Sequence, residues 1–174
     1  MNRRNKLLTL GVTLTLGLLM TASAMAQVAA PKPGLLGAED IKKVAPAAFF
    51  FRGQSATLQA RNTSGFATKD GKLVMAGLVD TSGYASSVQE KYQGVFITEV
   101  KLKIGGKTLV PGQYGFGFLA DGGFLIQDVG ANDLLTAATN VDEKLKRPVP
   151  LKFVEEDGIY RLYAGKKFVT VKVE

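Results

Sequence analysis

Downstream of Pro46, hydrophobic and polar residues alternate with period two, and each run of alternation predicts a β-strand. The clearest is Phe96 to Ile104, where Phe96, Thr98, Val100, Leu102 and Ile104 share one face and Ile97, Glu99, Lys101 and Lys103 the other. Gly105-Gly106 turns that strand into Lys107 to Gly130, which reads as a hairpin. Tyr114, Phe116 and Phe118 alternate there with Gly115 and Gly117 up to a turn at Asp121-Gly122-Gly123, and Phe124-Leu125-Ile126 begins the return. Leu73 to Val79 (LVMAGLV) is apolar throughout, the pattern of a central strand buried on both faces. Shorter runs at 48–52, 57–61, 66–68 and 151–154 predict further strands. A last hairpin joins 159–164 to 167–173, with Val169, Val171 and Val173 on one face.

Two segments resist the period. Tyr84 to Gly94 fits either a short helix or a polar edge strand. Gly130 to Leu145 loses the alternation, and Asn132 or Asp133 is placed to cap a short helical turn through Leu134, Leu135 and Ala138, in a connection that passes from one sheet to another. Ala38 to Ala45 (AEDIKKVA) has acids first, lysines last and Pro46 after it, the order of a short helix. The sum is an all-β chain: a single antiparallel β-sandwich or barrel of about eight to ten short strands, preceded by one short N-terminal helix.

The first residues follow a different rule. Arg3, Arg4 and Lys6 precede an apolar run of 14 residues, Leu7 to Met20, and Ala24-Met25-Ala26 follows. This is the pattern of a secretory signal peptide over residues 1–26, cleaved between Ala26 and Gln27; the run is short of the roughly 20 residues that span a bilayer. Residues 27–37, with two prolines and two glycines, predict a flexible linker, and residues 38–174 one β domain. Export moves the charge balance. The whole chain carries 22 Lys and Arg against 15 Asp and Glu; without the leader's three cations it carries 19 against 15, a net +4. Scattered lysines at that density favour solubility, or weak attraction to an anionic envelope, over nucleic-acid binding.

Composition then removes whole classes of chemistry. The chain has no Cys and no His. That rules out disulfides, every Ser-His-Asp or Cys-His arrangement, and the nitrogen and sulfur ligands that zinc and copper prefer. No cofactor is expected. The carboxylates Asp128, Asp133, Asp142, Glu143 and Glu155 to Asp157 lack the spacing of a calcium loop and read as solvated loop charges. Ser82, Ser86, Ser87 and Lys91 raise a serine-lysine pair without its S-x-x-K pattern. Gly115-x-Gly117 lies inside a strand and opens no helix, so it is not a dinucleotide loop. It does leave one strand face bare, where a ligand or the protein's own aromatic rings, such as those of Phe49 to Phe51, could come close. Candidate ligand-binding residues are accordingly Tyr84, Tyr92, Tyr114, Gly115, Gly117, Arg61 and Arg161.

Gly106, Leu109, Gly112 and Tyr114 form a G-x-x-L-x-x-G-x-Y pattern at the opening of the hairpin. In it the chain resembles secreted bacterial β-sandwich proteins of unknown function, which implies export and β structure and no activity. The expectation is an exported, periplasmic or extracellular, non-catalytic β domain that binds a small apolar or polar ligand or an envelope component, with no nucleic-acid partner and no membrane span after cleavage. Its alternatives are a glycosidase-like hydrolase using paired carboxylates and a structural protein that self-associates through edge strands.

Overall fold

A computed structural model describes residues 31–174. The leader and the Ala26/Gln27 junction lie outside the described residues, as does 27–30 of the expected linker. The remainder of that linker is partly ordered: Gly34 and Leu35 form a short strand β1 (Gly34–Leu35) paired with Ala67 and Phe66. This corrects the expectation of a free tether up to Gly37. Helix α1 (Ala38–Val44) follows as predicted. Its Ile41 is buried, Asp40 accepts a hydrogen bond from the Gly37 backbone N–H at 3.3 Å, and it packs against the third strand.

The rest is antiparallel β structure in two sheets packed as a sandwich. Strands β2 (Ala48–Phe51) and β3 (Gln54–Ala67) are joined by Arg52-Gly53, both at positive φ, the backbone of a tight two-residue hairpin turn. Gly105-Gly106 and Asp157-Gly158 make the same kind of turn. Next come β4 (Leu73–Val79), α2 (Ser86–Gln89), β5 (Gly94–Thr98), β6 (Leu102–Ile104), β7 (Lys107–Leu109), β8 (Gly112–Phe118), β9 (Gly123–Gln127), β10 (Asp133–Ala138), β11 (Asn140–Val141), β12 (Val149–Glu156), β13 (Ile159–Gly165) and β14 (Lys167–Val173). One sheet runs β1-β3-β4-β5-β8-β9-β10, with β2 also on β3; the other runs β12-β13-β14-β6-β7, with β11 also on β14.

The main core lies between the sheets and includes Phe66, Phe96, Phe116, Phe124, Phe153 and Leu162. A second cluster, around Phe51, Tyr84, Tyr92 and Val95, covers the outer face of the eight-stranded sheet beneath β2 and the segment carrying α2. β4 is therefore buried on both sides, which accounts for its unbroken apolar sequence.

Two further expectations are corrected. The run from Phe96 to Ile104 is two strands in two sheets: β5 pairs with β8 in one and β6 with β7 in the other. The chain bends at 99–101, where the Thr98 hydroxyl accepts from the Val100 N–H at 3.2 Å and Glu99 accepts from the Leu73 N–H at 2.7 Å. One long hairpin, 94–118, thus folds across both layers. The segment 133–138 is strand β10 and not a helical turn; it pairs with β9, burying Leu135 and Ala137. β11, on the opposite sheet, completes the expected crossing.

Candidate functional site

Of the seven residues singled out from the sequence, Tyr84, Tyr92 and Gly115 come together, as part of a packed aromatic cluster with the two tyrosine rings 5.3 Å apart, and the others lie apart from them. Tyr84 is buried and its hydroxyl donates to the carbonyls of Phe51 and Gln54 at 3.0 and 3.1 Å, pinning the β2–β3 turn. Tyr92 is fully buried and stacks on Phe51 with ring centroids 3.7 Å apart. Gly115 lies under that stacked pair and Gly117 under the Lys91 backbone, so the bare strand face is filled by the protein itself and is no open ligand surface. Tyr114 points to the opposite, inner face, and its hydroxyl donates to Val110 O at 2.9 Å, bracing the corner where the hairpin crosses layers. Arg61 is exposed in the bulge of β3, and Arg161 is on the outside of the other sheet. A separate cavity of about 450 Å³ opens at the end of the sandwich, floored by Phe66 stacked on Tyr160 at 3.6 Å.

Four aspartates are stabilised in their charged forms. Hydrogen bonds lower the pKa of Asp80 (from Ser82), Asp128 (from Asn132), Asp133 (from Lys91) and Asp142 (from Tyr163). A general acid of a glycosidase pair needs the opposite shift. Lys91 is tied to Asp133 by an ion pair at 2.8 Å and is not directed to a serine by any hydrogen bond among the described residues. Among the described residues no cluster of acidic side chains could hold a metal ion.

What the strands assemble is a basic sheet face. In the six-stranded sheet Leu151, Phe153, Leu162, Val169, Val171, Leu102 and Ile104 turn inward. Period two then places Lys152, Arg161, Lys172 and Lys103 outward. The register sets Lys172 directly against Lys103 on the neighbouring strand. Lys103 reaches Glu174 at 3.1 Å, while Lys152 and Lys172 form no ion pair among the described residues. Arg161 is positioned more firmly: it pairs with Glu156 and lies 4.9 Å from the centroid of the Phe168 ring, and the hydrogen bond with Tyr163 leads the interactions that raise its pKa.

The asymmetry extends to the whole molecule. Residues 99–109 and 140–174, which build the six-stranded sheet and its loops, hold eleven Lys and Arg against seven Asp and Glu. The rest of the described chain holds eight against eight. The entire net +4 lies on one layer. Sequence reading missed this because the two segments are thirty residues apart and only the register places Lys103 beside Lys172. It also missed Gln127, a buried amide at the end of the apolar run FLIQ. Among the described residues no helix is long and apolar enough to cross a membrane. Comparison with protein-family models, curated proteins and solved structures returned no match to this chain.

Proposed function

We propose that the protein is an exported, non-catalytic domain of the cell envelope that rests on an anionic lipid surface through the outer face of its six-stranded sheet. The observation that carries this is the confinement of the net positive charge to that layer, with Lys103 and Lys172 side by side. Like charges directly opposite on neighbouring strands oppose folding, and an anionic surface relieves them. Each cation near such a surface contributes about 1 kcal/mol; with Lys103 and Arg161 offset by Glu174 and Glu156, the unpaired Lys152 and Lys172 supply roughly 2 kcal/mol, a weak and reversible attachment.

The alternatives draw less support. Asp80, Asp128, Asp133 and Asp142 have lowered pKa values, the opposite of what a hydrolase's general acid needs. The sheet edges partly cover each other, through Phe153 N–H to Ser64 Oγ at 2.9 Å on one side and Lys107 Nζ to Thr136 O at 2.6 Å on the other, which does not favour edge-to-edge assembly.

Flotation with lipid vesicles tests the proposal. The protein is expected to float with vesicles containing phosphatidylglycerol at low ionic strength and to be released as salt shortens the Debye length to about 3 Å near 1 M. Equal flotation with neutral phosphatidylcholine vesicles would overturn it.

A further inference from the structure

A second, smaller site lies on the other layer. Arg52, Ser87, Lys91, Gln127 and Ala131 line a cavity of about 230 Å³ beside the buried Phe51–Tyr92 stack. Three observations converge on it. First, Arg52 (φ 47°) and Ala131 (φ 69°) are two of the three non-glycine residues with left-handed backbone among those described, and both border this cavity. The Arg52 conformation is the one its two-residue hairpin turn requires, whereas Ala131 holds the unfavourable left-handed conformation in the Asp128–Asn132 turn beside the cavity. The Arg52 N–H donates to Val129 O at 2.8 Å, tying the two turns together.

Second, the charged residues that line the cavity are both cations, Arg52 and Lys91; Lys91 is bonded to Asp133 at 2.8 Å, and the Asp128 carboxylate of the adjoining turn is taken up by Gly130 and Asn132, which leaves Arg52 to meet an anion. Arg52 forms no ion pair among the described residues.

Third, Gln127 is 3% exposed, and its Nε2 donates to Asp133 Oδ1 at 2.8 Å and to Ala131 O at 3.3 Å. Those two acceptors fix which end of the amide is nitrogen. Its Oε1 is left buried without a partner. Buried polar atoms are ordinarily paired, and an orphan of this kind marks a place where a donor is missing.

We infer that this cavity binds a small monocarboxylate that carries a hydroxyl group next to the carboxylate, a 2-hydroxy acid. The carboxylate sits between Arg52 and Lys91, and the hydroxyl donates to Gln127 Oε1. That oxygen is closed to bulk water, so binding includes a shift of the Asp128–Asn132 turn, with the left-handed Ala131 as the link that moves. At roughly 30 Å³ per water-sized unit, the volume holds about seven non-hydrogen atoms, room for the six of lactate. The site is separate from the basic sheet face and stands whether or not the protein docks on lipid.

The test is a titration of the ¹⁵N-labelled protein, followed by NMR, with lactate, with propionate, which lacks the hydroxyl, and with inorganic phosphate. Lactate is expected to shift the Gln127 side-chain amide and the Arg52 and Ala131 backbone signals, and to bind at least tenfold more tightly than either other anion. Arg52→Asn removes the guanidinium and suits a left-handed turn, so it should keep or raise the melting temperature while weakening lactate at least tenfold. The inference is overturned by propionate or phosphate binding as well as lactate, by unchanged affinity in R52N, or by no shift with any of the three anions at tens of millimolar.

Discussion

The ring of Phe51 lies against Gly115. A Cβ at that glycine would stand 3.0 Å from both Phe51 Cζ and Tyr92 Cδ2, and closer still to Phe51 Cε2. At Gly117 it would meet the Lys91 carbonyl group, with the carbon at 2.9 Å. These absent side chains let β2 and the α2 segment close onto the sheet. Gly115→Ala should destabilise by about 1–3 kcal/mol, the range for overpacking a filled core. Gly117→Ala should cost at least as much, because backbone yields less than a ring. Urea denaturation checks both, and wild-type midpoints would show that the cap packs elsewhere.

Tyr114→Phe removes only the hydroxyl that donates to Val110 O. The carbonyl it leaves is at an exposed corner, so the loss should be about 0.5–1.5 kcal/mol with an unchanged denaturant slope. A larger loss would mean that the bend between the layers depends on this single bond.

All five tyrosines, Tyr84, Tyr92, Tyr114, Tyr160 and Tyr163, have phenol pKa values raised above the usual value of 10, each chiefly by burial. The unfolded chain therefore loses phenolic protons first. The stability from this source is complete below pH 10 and falls as pH rises above it. Absorbance at 295 nm should show less tyrosinate near pH 10 in the folded protein than in the unfolded chain, and then a cooperative rise coincident with loss of the circular dichroism signal. A gradual titration centred on 10 would contradict the burial of these rings.

Asp133 behaves in the opposite sense. The hydrogen bond from Lys91 leads the causes that lower its pKa, with Gln127 also contributing. Its contribution is present above the ordinary carboxylate value of 3.8 and is lost as pH falls through the lower folded value. Asp133→Asn should flatten the acid side of the stability profile, measured as urea midpoints between pH 2 and 5. An unaltered acid slope would place that sensitivity elsewhere, with Asp128 and Asp142 next to examine.

The strands were readable because a half-buried strand must alternate, and the two-sided burial of β4 was readable because it does not. The bend at 99–101 was hidden by the same rule. Both sheets show the same side of the hairpin to the core, so Phe96, Thr98, Leu102 and Ile104 stay buried in unbroken alternation through the crossing. β10 was misread because Leu134, an exposed apolar residue beside buried Leu135, imitates a helical face. The filling of the glycine face was hidden for a related reason. Period two says that Tyr114 and Gly115 oppose each other, but not that Phe51, more than sixty residues earlier, fills the glycine side. Neither Gln127 nor the Lys103–Lys172 pair carries a motif; each acquires meaning from its partners across the sheet.

The decisive measurement compares two charge reversals of equal size in vesicle flotation. Lys103→Glu/Lys172→Glu alters the basic sheet, and Lys69→Glu/Lys72→Glu alters two exposed lysines of the β3–β4 turn on the electrically neutral layer. If the six-stranded sheet faces the envelope, the first pair should weaken binding to phosphatidylglycerol vesicles at least tenfold and the second by less than about twofold, since only cations near the surface contribute. Equal losses from the two would show that net charge, and not this face, governs the attachment.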